Sequence, residues 1–268
     1  MRPDFNEPQV PGGRRNASVK SARAFGGRAE DLDMEFLRIP RPELVSEILE
    51  RCLPVPDGAA RDREDVRQWT LGRRLQGLLA VTAAGDVTSL TMRQRCMCCD
   101  EVLEIPIDLE TFTCEAAVGE FESSMPSGQR VHVLLPTGRH QQDWLHTGGV
   151  TIRAMARDLI RSIDGAEVPP DWEIPADWVE VIGDWLEQHD PLTALELLAR
   201  CPECDVEVTI ELDLEGLLLE QLQSRQMETL REIHVLASSY HWSEREILEM
   251  PVWRRRHYVR RFGLDGVV

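Results

Sequence analysis

Two stretches decide how this chain folds: TSLTMRQRCMCCDEVLEIPIDLE at residues 88–110 and TALELLARCPECDVEVTIELDLE at residues 193–215. Shifted by 105 positions and without a gap, Thr88, Leu90, Met92, Arg95, Cys96, Cys99, Asp100, Ile105, Asp108, Leu109 and Glu110 fall on Thr193, Leu195, Leu197, Arg200, Cys201, Cys204, Asp205, Ile210, Asp213, Leu214 and Glu215. An internal repeat reports architecture that no single segment reveals. Leu90 with Met92, and Val206, Val208, Ile210 and Leu212, recur with the period of two that a half-buried strand requires. Each copy therefore reads as strand, Cys-x-x-Cys knuckle, strand and helix start.

Thiolates at i and i+3 across a tight turn can both reach one zinc ion at about 2.3 Å, and zinc takes four ligands in a tetrahedron. One knuckle supplies two, so the pair completes a shell of Cys96, Cys99, Cys201 and Cys204 around one structural Zn²⁺. The distance between the knuckles is tolerable because loop closure grows only logarithmically, at about 4 kcal/mol for 100 residues against about 2.5 for 15. A structural zinc contributes roughly 10 to 16 kcal/mol. The bland alternative is two unmetallated turns whose cysteines act as small apolar residues; duplication of the whole knuckle argues against it. Cys98 competes with Cys96 and Cys99 for two places, and the repeat register favours the latter pair. Cys52 and Cys114 have no matching neighbour and read as core or half-buried thiols, not ligands. The odd total of seven cysteines, with four in tight pairs, suits metal binding better than a disulfide framework.

Around the repeat the chain divides into a disordered tail (1–30), an N-terminal helical region (31–87), the first half-ribbon (88–113), an α/β insert (114–192), the second half-ribbon (193–214) and C-terminal helices (215–268). The tail is rich in Gly, Pro, Ser, Asn and Arg and has little to bury. Apolar spacing predicts helices over 42–53, 66–82, 151–163, 172–188 and 215–239, a strand over 131–135 and a turn over 136–138; residues 57–67 and 164–175 read as linkers. The expected fold is α+β: a split, pseudo-symmetric four-cysteine zinc ribbon with a helical insert and a C-terminal helical hairpin.

Near the C-terminal end, Ser243 and Glu246 form a capping box, flanked by Trp242 and Ile247 as a hydrophobic staple, so a helix is expected from Glu244. Pro251 stops it and opens an Arg-rich helix running through Arg254, Arg255, Arg256, Tyr258 and Arg261 to Gly263 as its cap. The elements Glu-Ile-His, Leu-Ala, Tyr-His-Trp-Ser, Glu-Ile-Leu, Pro and Arg-Arg-Arg between Glu232 and Tyr258 resemble the C-terminal signature of baseplate proteins or baseplate hub assembly chaperones of contractile-tailed phages of the T-even type, also found with phage-tail-like contractile injection systems. The likeness extends over roughly residues 172–262 and takes in the second knuckle; Cys98 and the arginine-rich tail depart from it. It implies an assembly factor or minor baseplate component that binds baseplate or hub proteins and catalyses nothing. On that view Trp242, Ile247, Met250, Trp253, Arg254 and Arg255 are the partner-binding residues. Equally, the four apolar residues read as packing the chain's own helix pair, and the arginines as a solvated or internally paired face.

The residues lack the usual marks of an enzyme. There is no His-Glu-x-x-His, no Walker-type phosphate loop and no nucleophile elbow. His132, His140, His146, His234 and His241 stand alone and read as packing or surface residues. The rival function is a zinc-ribbon nucleic-acid-binding or transcription-associated protein. Against it stand a net charge of −17 and the crowd of Asp100, Glu101, Glu104, Asp108, Glu203, Asp205, Glu207, Glu211 and Asp213 on both half-ribbons. No apolar run approaches the 18 or so residues of a membrane span and the first fifteen residues lack a signal-like core, so a cytoplasmic protein is expected.

Overall fold

The computed structural model describes residues 22–53, 62–112 and 119–262. Most of the expected tail, part of the 57–67 linker, Cys114 and the Gly263 cap lie outside them.

In chain order the elements are α1 (Ala29–Leu32), α2 (Arg41–Cys52), α3 (Arg63–Arg67), α4 (Leu71–Ala83), β1 (Ser89–Arg95), β2 (Val102–Asp108), β3 (Glu120–Ser124), β4 (Arg130–Leu134), α5 (Gly138–Thr147), α6 (Ile152–Asp158), β5 (Ile160–Ile163), β6 (Ala166–Glu167), α7 (Ala176–His189), β7 (Glu196–Arg200), β8 (Glu207–Glu211), α8 (Leu214–Tyr240), α9 (Glu244–Leu248) and α10 (Val252–Arg260). Of the described residues, 50% are helical and 19% are in strands, so the fold is a mixture of helix and sheet. Its strands form two antiparallel hairpins, β1–β2 and β7–β8, and one antiparallel four-stranded sheet, β3-β4-β5-β6.

Three clusters of buried side chains organise these elements. The main core joins Val45, Ile48 and Leu49 of α2, Leu75, Leu78 and Val81 of α4, Leu103, Ile105 and Ile107 of β2, Ile210 of β8 and Leu218 and Leu222 of α8. Alternation along β2 puts Leu103, Ile105 and Ile107 into this core and leaves Val102, Glu104, Pro106 and Asp108 exposed. The insert has a core of its own, where Val131 and Val133 of β4 meet Leu159, Ile160, Trp178 and Ile182. A small third cluster, Ile233, Leu236 and Ile247, ties α9 and α10 onto the far end of α8.

The main core fixes where the hairpins stand. Arg41 at the start of α2 pairs with Asp213 at 2.6 Å, and Asp213 also accepts from the Gly216 N–H at 2.9 Å, so one carboxylate caps α8 and ties it to α2. Arg74 of α4 is fully buried and forms no direct ion pair among the described residues; its guanidinium donates to Ser46 Oγ and to the Val66 and Pro42 carbonyls. Burial lowers its pKa to about 10. It ties α4 to α2 and to the end of α3.

Several expectations are corrected. Residues 22–30, read as tail, pack against the body: Phe25 is buried, and Arg23 pairs with the buried Asp31 at 2.6 Å. The single helix expected over 66–82 is two, because Thr70 Oγ1 accepts from the Arg73 N–H and caps α4, while Thr70 also bridges Thr137 across the chain. The helix expected over 151–163 ends at Asp158. Ile152, in the first turn of α6, is 74% exposed, and Ile160 to Ile163 form β5 against β4, with Val131 opposite Ile163. Residues 119–192 thus combine helices with a four-stranded sheet and are not only helical. Helix α7 begins at Ala176 behind Pro175, four residues later than expected, and α5, capped by Thr137, was not anticipated at all. The expected helices over 42–53 and 215–239 are α2 and α8, with boundaries one residue away.

One contact across this frame admits no side chain. The Gly72 N–H in the first turn of α4 donates to Asp190 Oδ2 at 2.8 Å, and a Cβ at Gly72 would overlap that buried carboxylate. Gly72→Ala must push Asp190 away and break a charge-assisted hydrogen bond, at a cost of about 2–4 kcal/mol. Urea unfolding of the variant measures that loss, and a midpoint equal to wild type would show that α4 and the 190–193 turn are not locked together.

Candidate metal centre

Each Cys-x-x-Cys turn closes a hairpin whose last strand pairs are Arg95 opposite Val102 and Arg200 opposite Glu207. Inside the turn the backbone hydrogen bonds are duplicated. The Cys96 N–H donates to Glu101 O at 2.8 Å and the Asp100 N–H to Cys96 O at 2.9 Å; the Cys201 N–H donates to Val206 O at 2.9 Å and the Asp205 N–H to Cys201 O at 3.0 Å. Asp100 and Asp205 both take left-handed backbone, with φ of 62° and 59°. Aspartate is among the few residues besides glycine that tolerate this region. Each aspartate also receives the arginine that precedes its knuckle, Arg95 at 3.2 Å and Arg200 at 3.4 Å. The repeated Arg-Cys-x-x-Cys-Asp is therefore one device used twice: an arginine and an aspartate that brace a turn presenting two sulfurs.

The two turns meet. All four sulfurs of Cys96, Cys99, Cys201 and Cys204 lie within 4.8 Å of one another. Cys96 Sγ is 3.6 Å from Cys204 Sγ, and Cys99 Sγ is 3.5 Å from Cys201 Sγ. The first cysteine of each knuckle thus faces the second of the other, the pairing that a local twofold axis between the hairpins produces. These separations exclude disulfides, whose sulfurs are about 2.05 Å apart, and approach the about 3.8 Å edge of a tetrahedron with 2.3 Å zinc–sulfur bonds. The donor set and spacing fit one zinc ion. Cys96 and Cys201 are buried at the inner side of the cluster, whereas Cys99 is exposed and Cys204 half-buried.

The electrostatics point the same way. Amide hydrogen bonds from Cys99 and Cys98 hold the Cys96 thiol down at about 6. At Cys99 the Glu101 amide pulls down but is outweighed by burial and the neighbouring sulfurs Cys201 and Cys96, so its pKa rises. At Cys204 the Val206 amide is likewise overcome by burial and by the other three sulfurs, and its pKa is also raised. Four such groups cannot all be thiolates without a cation among them. A dication held by Cys96, Cys99, Cys201 and Cys204 would remove the conflict, and four thiolates would leave it no position for water.

Cys98 is exposed, and its sulfur stands outside the cluster. Cys52 is fully buried, with burial pushing its thiol up to about 12, as a core thiol should be. The nine acidic residues named on the half-ribbons are all exposed.

The sequence-predicted partner residues are not brought together on one surface. Trp253 is 72% exposed and Arg254 is exposed, but Ile247 is fully buried and Met250 nearly so. Trp242 is half-buried, stacked on Tyr240 at 4.5 Å and edge-on to Tyr258 at 5.2 Å. Arg255 is 1% exposed and donates to Glu232 Oε2 of α8 at 3.0 Å. The staple thus serves the chain's own helix packing, which removes Ile247, Met250 and Arg255 from any outward face. Sequence reasoning missed Glu232, Arg74, Asp190 and Gln226, all buried polar residues. The only signal was a polar residue falling within an apolar stripe, as Arg74 does beside Leu75 and Leu78. Comparison of the chain with protein families, with curated proteins and with solved structures finds no match.

Proposed function

We propose that this chain is a non-enzymatic assembly factor or minor baseplate component of a contractile phage tail or phage-tail-like injection system, acting through protein–protein contacts on a frame held by one structural zinc ion in a split ribbon. The observation that carries the zinc reading is the meeting of two duplicated knuckles in one four-sulfur cluster. Bound there by Cys96, Cys99, Cys201 and Cys204, zinc would supply a cross-link between segments a hundred residues apart and no reactive position. The likeness of the segment between Glu232 and Tyr258 to baseplate assembly proteins supplies the setting, and the baseplate or hub proteins are its proposed partners.

The rival nucleic-acid function loses its usual surface. On the hairpins only Arg93, Arg95 and Arg200 offset the nine exposed carboxylates, and all three are paired to acids of their own hairpin. Such a face repels phosphate. Affinity capture of the full chain from its native cell, followed by mass spectrometry, tests the proposal. Recovery of baseplate and hub proteins supports it; recovery of polymerase subunits, or of no tail protein, contradicts it.

A further inference from the structure

The C-terminal helix carries a charge opposite to that of the chain around it. Residues 251–262 hold five arginines and no carboxylate, in a protein of net charge −17. Arg255 is paired with the buried Glu232, and Arg256 with Glu228 at 3.5 Å and Glu232 at 3.6 Å. With Arg255 turned toward α8, helical geometry puts Trp253, His257, Arg260 and Arg261 on the opposite face, at i, i+4, i+7 and i+8, with Arg254 at its flank. All five are exposed. Trp253 is 72% exposed, well beyond Phe262 at 42%.

Tryptophan and arginine are among the residues that dominate protein interfaces, and here a tryptophan that is mostly in water stands beside cations. We infer that this outward face of α10, centred on Trp253 with Arg254, His257 and Arg261, docks an acidic amphipathic segment of a partner protein, whose carboxylates meet the arginines and whose apolar side chain covers Trp253. The inference rests on the protein-binding function proposed above and names the chemistry of the partner. Charge complementarity selects the occupant. An acidic segment is repelled by the acidic hairpins, so the field of the whole chain steers it to α10. A nucleic acid is disfavoured, because a phosphate backbone needs an extended cationic track. This helix spans nine residues, and Glu228 of α8 already lies against Arg256 at 3.5 Å.

The test uses the full-length, zinc-loaded protein and a fluorescein-labelled helical peptide of about 15 residues, four turns, with glutamates along one face and leucines beside them. Its lysine-for-glutamate counterpart and a single-stranded oligonucleotide serve as competing probes. Anisotropy should show the acidic peptide binding, with affinity falling as salt rises. Trp253→Ala, and separately Arg254→Glu with Arg261→Glu, should each weaken it at least about tenfold. Both sets of changes are at exposed positions, and circular dichroism confirms that the variants fold. The inference is overturned if the acidic peptide does not bind, if the variants bind it as well as wild type, or if the lysine peptide or the oligonucleotide binds more tightly. A concentration-dependent dimer abolished by Trp253→Ala would assign the face to a second copy and overturn the partner named here. Failure of the peptide alongside capture of baseplate proteins removes this face and leaves the assembly role; the reverse result removes the role and leaves the face.

Discussion

Cys204→Ser is expected to strip the metal from the whole site and to loosen both hairpins together. The serine hydroxyl is a poor zinc ligand at neutral pH, and the three remaining sulfurs leave an incomplete shell. Cys204 lies on the second knuckle, yet its sulfur is 3.6 Å from Cys96 on the first, so the damage cannot stay local. Strand residues of both hairpins sit in the same core as α2, α4 and α8. If the variant forfeits even a third of a structural zinc's contribution, about 4 kcal/mol, Tm should fall by about 8–16 °C. Cys98→Ser is the matched control and should keep both metal and Tm, because its sulfur stands outside the cluster. Native mass spectrometry and thermal unfolding of the two variants read this directly. A Cys204→Ser protein that retains its ion and its melting temperature would contradict the shared site.

Glu232→Ala should produce the second large loss, far from the sulfurs. Glu232 is 7% exposed, and its two oxygens take Arg255 at 3.0 Å and Arg256 at 3.6 Å. Deleting the carboxylate strands the Arg255 guanidinium inside the α8–α10 contact, where Nη2 already has no partner. Breaking a buried pair from one side costs about 3–5 kcal/mol, whereas replacing both members by apolar residues of similar volume is often neutral. The single variant should therefore lower Tm by about 6–20 °C, and Glu232→Leu with Arg255→Met should recover most of it. A single variant within about 1 kcal/mol of wild type would mean that Arg255 can swing out to water and that α10 is loosely held. The double variant also separates the two roles that the arginines of this helix have: Arg255 holds the helix down, and Arg254 and Arg261 face outward.

What could be read from residues alone was what local chemistry encodes. The knuckles were legible because each Arg-Cys-x-x-Cys-Asp carries its own turn, brace and ligands within six residues, and duplication made the pairing of distant halves visible. The Ser243 box was legible for the same reason: its serine N–H donates to Glu246 Oε2 at 2.8 Å, and its hydroxyl accepts from the Glu246 N–H at 3.3 Å. What stayed hidden depends on partners far along the chain. Thr70 interrupts a continuous apolar stripe because it bridges Thr137. The spacing of Ile152, Met155, Leu159 and Ile163 imitates a helical face, and only pairing with β4 turns its second half into a strand. Asp190 is needed only because Gly72, 118 positions away, leaves room for it. The staple residues Ile247 and Met250 and the cation Arg255 have interface chemistry, and nothing local distinguishes an interface with another protein from one with α8.

The central claim is that two hairpins separated by a hundred residues share one ion. X-ray absorption at the zinc edge, with metal quantification on the purified full-length protein, addresses it most directly. One zinc per chain, surrounded by four sulfurs at about 2.3 Å, is the predicted result. A folded protein without metal, or a zinc whose shell holds nitrogen or oxygen in place of any of the four sulfurs, would contradict it.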